Sequence, residues 1–201
     1  MKKVIVIGAG PAGLMAAEVL AAAGTEVHVM DAMPSAGRKF LLAGKGGLNL
    51  THSDPPEIFV SRYGARADTL APLLAAFGAP QLRAWAQGLG VETFIGTSGR
   101  VFPADLKAAP LLRAWLQRLR AAGVQFHMRH RWLGWADSAD GAMQALRFAT
   151  PQGEVTQTSD AVVLALGGAS WPQLGSDGAW APLLAARGVP VQPLLPSNCG
   201  F

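Results

Sequence analysis

The sequence has very few of the residues that build disulfide, thiol-redox or metal sites. Cys199 is the only cysteine among 201 residues, so the chain can form neither an internal disulfide nor a Cys-x-x-Cys redox pair. A single cysteine fits a reducing compartment, and we expect a cytoplasmic protein. We expect no metal site and the sequence identifies no catalytic residue, because the histidines lack the spacing of metal ligands. They are His28, His52, His127 and His130.

Long apolar runs and strongly charged stretches are also missing. No segment approaches the ~20 apolar residues that cross a bilayer, and Pro11, Glu18 and three glycines interrupt the apolar start, which argues against a signal peptide. Lysine and arginine exceed aspartate and glutamate by 17 to 13, but their densest group, residues 127–131, is typical of a solvated strand edge. These patterns predict a globular protein without membrane contact and without a nucleic-acid partner.

The first 31 residues contain a β-turn-α-β pattern. Residues 4–7 form a short β-branched run, a helical pattern continues to Gly24, and a second apolar run ends on Asp31. This is the dinucleotide-binding fingerprint, in which the turn and the helix N-terminus receive a pyrophosphate and the acid binds ribose hydroxyl groups. The expected contacts of the turn are Gly8, Gly10, Pro11, Ala12 and Gly13.

The residues of this turn have distinct physical roles. Gly8 allows a tight turn out of the strand, and Gly10 lets a pyrophosphate approach the backbone because it has no Cβ atom. Gly13 allows the helix to pack closely against the sheet, and Pro11 suits a first helical turn, where its missing N–H would have no partner. The pattern fits both FAD and a nicotinamide dinucleotide.

A second glycine-rich segment spans residues 37–52. It combines four glycines, three cationic side chains and two small polar ones, a composition that suits backbone lying against a flat or anionic ligand. Phe40 and the leucines of this segment argue against a solvated linker. The expected cofactor contacts are Arg38, Lys39, Gly44, Lys45, Gly46, Gly47, Asn49 and Thr51.

The turn at residues 8–13, with its Gly-Pro-Ala-Gly, resembles that of FAD enzymes of the glutathione-reductase type. Residues 37–39 and 43–52 resemble the BaiN-like flavoproteins, also called the aminoacetone-oxidase family of FAD-binding enzymes. Members usually have Arg-Cys where this chain has Gly47-Leu48, and Asn where it has His52, so the chain resembles a divergent subgroup. The resemblance implies an α/β fold: a Rossmann-like FAD-binding domain of the glutathione-reductase type. It further implies a parallel sheet, a helical insertion at about residues 53–90 and a β-meander at about 124–158.

The resemblance continues through the rest of the chain. Arg100 lies in a Gly-Arg-Val-Phe-Pro motif near the flavin region, where it would either pair with an anion or brace its loop. A strand over residues 124–135 should begin the meander, and a last parallel strand is expected at residues 160–166. Asp177 is expected to cap a helix. Cofactor contacts after the last strand are expected from Gly167, Gly168 and Trp171.

The resemblance implies an FAD-dependent oxidoreductase that acts on a small organic substrate, with NAD(P)H or oxygen considered as its partner. A short-chain dehydrogenase is excluded, because Tyr63 is the only tyrosine and Ala67 stands where that class needs lysine. Two alternatives stay open: an NAD(P)-binding dehydrogenase domain, and a nucleotide-binding fragment without catalysis of its own. The second arises because family members are longer, with an inserted substrate domain and a returning C-terminal segment that we expect to be absent here.

Overall fold

The computed structural model describes residues 1–43, 46–136 and 144–195. They divide into two compact units, one comprising Met1–Lys39 with Leu119–Phe201 and the other Phe40–Arg118. Gly44 and Lys45, two of the predicted cofactor contacts, lie outside the described residues. Within the described ranges, the structure contains no helix with both the length and the apolar composition of a membrane span.

Strands and helices alternate along the first part of the chain, as expected of an α/β protein. The strands are β1 (Lys3–Ile7), β2 (Glu26–Asp31), β3 (Thr51–His52), β4 (Thr93–Ile95), β5 (Arg100–Pro103), β6 (Gln125–Met128), β7 (Arg131–Trp135), β8 (Gln144–Thr150), β9 (Gly153–Ser159) and β10 (Ala161–Leu164). The helices are α1 (Pro11–Ala22), α2 (Arg38–Ala43), α3 (Pro56–Ser61), α4 (Ala67–Ala76), α5 (Ala79–Gly88), α6 (Ala108–Ala121) and α7 (Ala181–Ala185).

A four-stranded parallel sheet forms the centre of the first unit. The strands pair in the order β10-β1-β2-β6, and all three pairings are parallel. If these four strands are numbered 1 to 4 in chain order, their order in the sheet, read from β6 to β10, is 3-2-1-4. This is the Rossmann arrangement, in which the first strand lies inside the sheet. The two central strands, β1 and β2, carry the buried β-branched residues of the sheet, as expected where both faces of a parallel sheet are covered. The predicted Rossmann-like fold is confirmed.

The two faces of this sheet bury different residues because side chains alternate along a strand. Ile5 and Ile7 of β1 pack in a core cluster with Leu146 and Phe148 of β8. Val4 and Val6 therefore face the opposite side, and they are also buried. The helix α1 contacts β1, β2 and β10.

The antiparallel meander of the first unit is formed by β7, β8 and β9. The sequence predicted one strand over residues 124–135 as its start, which is wrong: β6 belongs to the parallel sheet, and the meander begins only at Arg131. The break lies at Arg129, whose φ is 59°, a left-handed conformation that few non-glycine residues adopt. The Arg129 and His130 amides then donate to the carbonyl groups of Met33 and Asp31 (3.0 and 2.8 Å).

Three histidines meet at the β2–β6 edge of the sheet. The rings of His28 and His127 stack with centroids 5.2 Å apart, and Nδ1 of His28 lies 3.0 Å from Nε2 of His127. His130 packs edge-on against His127 at 5.6 Å. Burial lowers the pKa of His127, and positive charge on His28, His130 and Lys3 lowers it further. The neutral form of His127 is therefore favoured in the folded protein.

This pKa shift predicts a loss of stability in mild acid. Unfolded His127 takes up a proton near its ordinary pKa of about 6.5, whereas the folded residue resists protonation. The contribution is fully present above that pH and is lost as the pH falls below it. We expect the urea concentration at the unfolding midpoint to decrease as the pH is lowered from about 7.5 to about 5.5. The change of the midpoint with pH should be smaller in His127→Gln, whose amide can still donate to His28. An identical pH dependence in the variant would contradict the assignment of this effect to His127.

The second unit combines a small antiparallel sheet with short helices. Its strands pair in the order β3-β5-β4, and α3, α4 and α5 fill residues 56–88, where the sequence predicted a helical insertion. A core cluster forms around Leu48, Ala86 and Leu111. Trp85 and Trp115 meet edge-to-face with centroids 4.7 Å apart, an arrangement that aromatic pairs favour.

Candidate functional site

A cavity of about 290 Å³ lies in the first unit where β1 and β2 end. Gly8, which follows β1, and Met30 and Asp31, which end β2, line one side of it. In open α/β sheets, ligands bind at the carboxyl edge of the strands. The cavity therefore lies where the sequence fingerprint predicts a dinucleotide.

The glycine-rich turn leaves one of its three glycines open. A Cβ atom on Gly8, whose φ is +111°, would lie 2.2 Å from the carbonyl oxygen of Ala165. A Cβ atom on Gly13 would lie 1.8 Å from the carbonyl oxygen of Gly8. Both positions therefore require glycine for packing. A Cβ atom on Gly10 would meet no described atom within 4 Å, so the space above Gly10 is available to a ligand.

The N-terminus of α1 begins at this open position. Its N-cap is Gly10, and its first turn contains no acidic side chain. The amide of Leu14 donates to the carbonyl oxygen of Gly10 (2.9 Å), so the preceding amides of Ala12 and Gly13 lie ahead of the intrahelical ladder, and Pro11 has no N–H. These free amides and the positive end of the helix dipole favour an anion such as a phosphate.

Asp31 is held against the same turn by two backbone amides. Its Oδ2 accepts a hydrogen bond from Ala9 (2.6 Å) and its Oδ1 accepts one from Met33 (2.8 Å). The carboxylate makes no salt bridge with another described residue, and it lines the cavity. Each carboxylate oxygen can accept more than one hydrogen bond. Asp31 is thus oriented towards a site where ribose hydroxyl groups could donate to it.

The start of α2 connects this turn with the segment that follows β10. The Gly37 amide donates to the carbonyl oxygen of Ala9 (2.9 Å), and Lys39 Nζ donates to Ser170 Oγ (2.5 Å). Arg38 Nε is buried without a hydrogen-bond partner among the described residues. A buried guanidinium donor without an acceptor fits a site for a phosphate group.

The predicted contacts after β10 lie in one closed loop. The hydroxyl group of Ser176 donates to the carbonyl oxygen of Gly168 (3.0 Å), and the backbones of Trp171 and Ser176 exchange hydrogen bonds of 3.2 and 3.1 Å. Gly167 has a φ of +70°. The Trp171 side chain is 49% exposed, and it is available to a ligand.

Gly46, Gly47, Asn49 and Thr51 belong to the second unit. The amides of Leu48 and Leu50 donate to the carbonyl groups of Leu106 and Val101 (2.9 and 2.8 Å), while Asn49 between them is exposed. Asn49, Thr51 and Arg100 line a hollow of about 380 Å³. The Arg100 guanidinium makes no hydrogen bond or ion pair with the described part of the chain, so it does not brace its loop in that way.

Several residues that line the cavity were not predicted from the sequence. The Nε1 atoms of Trp132 and Trp180 are buried, lack a partner within the described ranges and belong to residues that line the cavity. Arg131 Nη1 and Asp177 Oδ2, also at the cavity, form an ion pair of 3.0 Å. Trp132 lies in β7 and Trp180 in the loop before α7, and no local sequence pattern marks either as a ligand contact. A tryptophan in a strand pattern usually indicates core.

Asp177 does not cap α7 as the sequence predicted. The helix begins only at Ala181, and Asp177 Oδ1 accepts a hydrogen bond from the Ala179 amide (3.1 Å) in the turn before it. This amide, and then the guanidinium of Arg131, hold the pKa of Asp177 below its usual value. Its carboxylate is therefore charged at neutral pH and fixes Arg131 at the cavity.

These features define a Rossmann-type dinucleotide-binding domain, with an open glycine, a helix N-terminus and an oriented acid at one sheet edge. Residues 2–196 match the family model described as the HI0933-like protein Rossmann domain, and the chain belongs to this family. The match confirms the predicted resemblance, and with the relatives below it identifies a Rossmann-type FAD-binding domain of an oxidoreductase family.

Similar proteins include flavoenzymes of different specificity. The 3-dehydro-bile acid delta(4,6)-reductase of Clostridium scindens is 27% identical over 203 residues, covering 98% of this chain and 46% of the reductase. A D-amino acid dehydrogenase of Dechloromonas aromatica is 35% identical over 131 residues, covering 62% of this chain and 31% of that protein. The chain therefore spans less than half the length of the curated relatives it matches.

A solved structure supports the same fold. The 3-ketosteroid-delta4-(5alpha)-dehydrogenase of Rhodococcus jostii RHA1, solved with 4-androstene-3,17-dione, aligns with a TM-score of 0.63. The sequence identity is 18%, and the alignment covers 83% of this chain and 46% of that protein. At this identity the likeness shows the fold alone.

Proposed function

We propose that this chain binds FAD, with the diphosphate at the start of α1 and the adenosine in the cavity beside Asp31. The chain would then be the cofactor-binding part of an FAD-dependent oxidoreductase that acts on a small organic molecule. The observation that carries this proposal is the open position of Gly10, between free helix amides and an oriented carboxylate. Bound FAD supplies the hydride or electron transfer, which protein side chains do not perform themselves.

The polar groups of the site match the parts of this cofactor. The free amides of α1 and Arg38 Nε offer donors for phosphate oxygens, and Asp31 offers acceptors for ribose hydroxyl groups. The indole N–H groups of Trp132 and Trp180 offer donors to an adenine ring nitrogen or a ribose oxygen. A buried donor costs about 1–3 kcal/mol when it lacks a partner. A nucleotide in the cavity would remove that cost.

The other predicted contacts remain part of the proposal. We place Lys39, Gly167, Gly168 and Trp171 on the flavin side of the cofactor, because Lys39 binds the same loop that carries the other three. For Gly44, Lys45, Gly46, Gly47, Asn49 and Thr51, support comes from the family resemblance. NAD(P)H or oxygen as the second substrate and a cytoplasmic location also remain proposals.

Reconstitution with FAD tests the function directly. The purified 201-residue chain is incubated with FAD, freed of excess cofactor and examined by visible absorption and native mass spectrometry. We expect one FAD per chain, displaced by ADP, since both share the adenosine diphosphate part. NADH should compete more weakly than FAD. Absence of both FAD and ADP binding would refute the proposal, and a preference for NADH would replace it with the dehydrogenase alternative.

The charge of Asp31 should discriminate between nucleotides. A 2′-phosphate would be repelled by the carboxylate, whereas a free 2′-hydroxyl can donate to it. We expect ADP-ribose to bind about tenfold more tightly than its 2′-phosphorylated form, a difference of ~1.4 kcal/mol. In Asp31→Asn this preference should shrink, as measured by isothermal titration calorimetry. Glu154→Gln, a change in an exposed pair with Arg147 on the meander, should retain the preference.

Trp132→Phe tests the indole donors. The variant removes the buried N–H group, so ADP affinity should fall about tenfold through the loss of one hydrogen bond worth ~1.4 kcal/mol. In the free protein, the smaller Phe side chain lowers stability through lost packing. Part of this cost should be offset, because the unpartnered indole donor is removed as well. Trp135→Phe is the matched control, since Trp135 packs edge-on against Trp132 at 4.8 Å without lining the cavity. Equal ADP affinities in the two variants would contradict a role for the Trp132 donor.

A further inference from the structure

The second unit contains a larger cavity of about 740 Å³. It is lined by residues of α3, α4, α5 and the three-stranded sheet. Its volume falls within the roughly 300–1,000 Å³ of typical small-molecule sites. Phe59, Val60 and Leu74 of the helices and Ile95 and Val101 of the sheet are the larger apolar residues that line it.

Several polar side chains on the wall already have partners within the unit. His52 lies 2.9 Å from the carbonyl oxygen of Ser98 through Nε2 and 3.0 Å from Asp54 through Nδ1. Arg83 Nε donates to Thr93 Oγ1 (2.9 Å). A ligand would therefore gain little from new hydrogen bonds to these groups, and burial of apolar surface would supply the binding energy.

The charges on the wall do not favour an anion. Its charged side chains are Glu57, Asp54 and Arg83, two acids against one base, and Asp54 is paired with Arg62. Glu57 is exposed, so a negatively charged ligand would meet its carboxylate at the solvent side. An uncharged ligand avoids both this repulsion and the cost of removing a charge from water.

We propose that this cavity binds an uncharged, largely apolar organic molecule. Binding there does not require FAD. His52, which lines the cavity, directly follows Thr51, a predicted cofactor contact, on β3. The molecule bound in the cavity is therefore our candidate for the organic substrate, and this last step rests on the proposed function.

A matched pair of fluorescent dyes tests the binding class. N-phenyl-1-naphthylamine is uncharged, and 1-anilinonaphthalene-8-sulfonate adds a sulfonate to the same ring system. We expect saturable one-to-one binding of the uncharged dye, and affinity at least tenfold lower for the sulfonate. Equal affinities, or no saturable binding of the uncharged dye, would overturn the proposal.

Filling the cavity tests its location. Ala71 on α4 lines the cavity, whereas Ala76 on the same helix does not. Ala71→Trp should lower the affinity for the uncharged dye at least tenfold, while Ala76→Trp should leave it unchanged. An unchanged affinity in Ala71→Trp, with far-UV circular dichroism like that of the parent chain, would overturn the proposal.

A labelling experiment covers the case in which Ala71→Trp does not fold. In a Cys199→Ser background, the uncharged dye should slow alkylation of Ala71→Cys by iodoacetamide and leave Ala76→Cys unaffected. Equal alkylation rates with and without dye at Ala71→Cys would overturn the proposal. Dye binding should also persist in Gly10→Ala, in which FAD affinity is expected to fall. Failure of the parent chain to bind FAD would contradict only the proposed function, and failure of the parent chain to bind the uncharged dye would contradict only the cavity site.

Discussion

Replacing Gly10 by alanine should abolish most of the FAD affinity and leave the fold intact. A Cβ atom at this position meets no described atom within 4 Å, and Gly10 has a φ of −81°, which alanine readily adopts. The stability cost should be at most about 1 kcal/mol, the difference between glycine and alanine at an N-cap. The new methyl group instead enters the space that a diphosphate needs to reach the amides of α1.

The loss of affinity should exceed that of the other site variants. Hydrogen bonds between amides and charged groups are worth ~1.5–3 kcal/mol each, so displacing the phosphate from one of them lowers affinity about 30-fold. Titrations with FAD and with ADP, monitored by calorimetry, measure this loss of affinity directly. Loss for both ligands assigns the effect to the adenosine diphosphate part of the cofactor, since ADP lacks the flavin.

Gly88→Ala is the control for the Gly10 variant. Gly88 ends α5, and a Cβ atom there would lie 3.4 Å from Arg118 Nη2, an ordinary contact. Alanine in a helix is favoured over glycine by about 1 kcal/mol, so Gly88→Ala should be as stable as the parent chain or more so. It should bind FAD normally. If Gly10→Ala also binds FAD normally, the diphosphate does not lie at this turn.

The conformation of the glycine turn was predictable because it depends on local backbone geometry. Gly8, Gly10 and Gly13 lie within six residues, and the constraint on each follows from the path of a strand into a helix. Asp31 was predictable for a similar reason, since the second strand of the motif ends beside the first. In each case a short stretch of chain determines both the conformation and the position at the sheet edge.

The cavity donors were not predictable, because they come from distant parts of the chain. Trp132 follows a strand that joins the sheet beside β2, and Trp180 precedes α7. Their meeting depends on the break at Arg129, where a positive φ occurs without the glycine or asparagine that usually signals it. The sequence pattern therefore suggested a single strand. The cavity of the second unit depends on how its helices pack, and the hydrophobic periodicity of the sequence does not specify that packing.

Replacing Gly13 by alanine should destabilise the folded protein itself. A Cβ atom there would lie 1.8 Å from the carbonyl oxygen of Gly8, well inside any tolerated contact, and this neighbour is backbone that cannot rotate away. Either α1 or the Gly8 turn must move. Because Gly8 is itself packed against Ala165, the displacement would spread to the end of β10.

We expect Gly13→Ala to lower the free energy of unfolding by about 3 kcal/mol, the upper range of overpacking. Urea unfolding monitored by circular dichroism measures it, with Gly10→Ala as the matched comparison three residues away. The structure thus predicts opposite profiles: Gly10→Ala is stable and binds FAD weakly, whereas Gly13→Ala is unstable before any ligand is added. Equal urea midpoints for the two variants would mean that α1 does not pack on the turn as the structure has it.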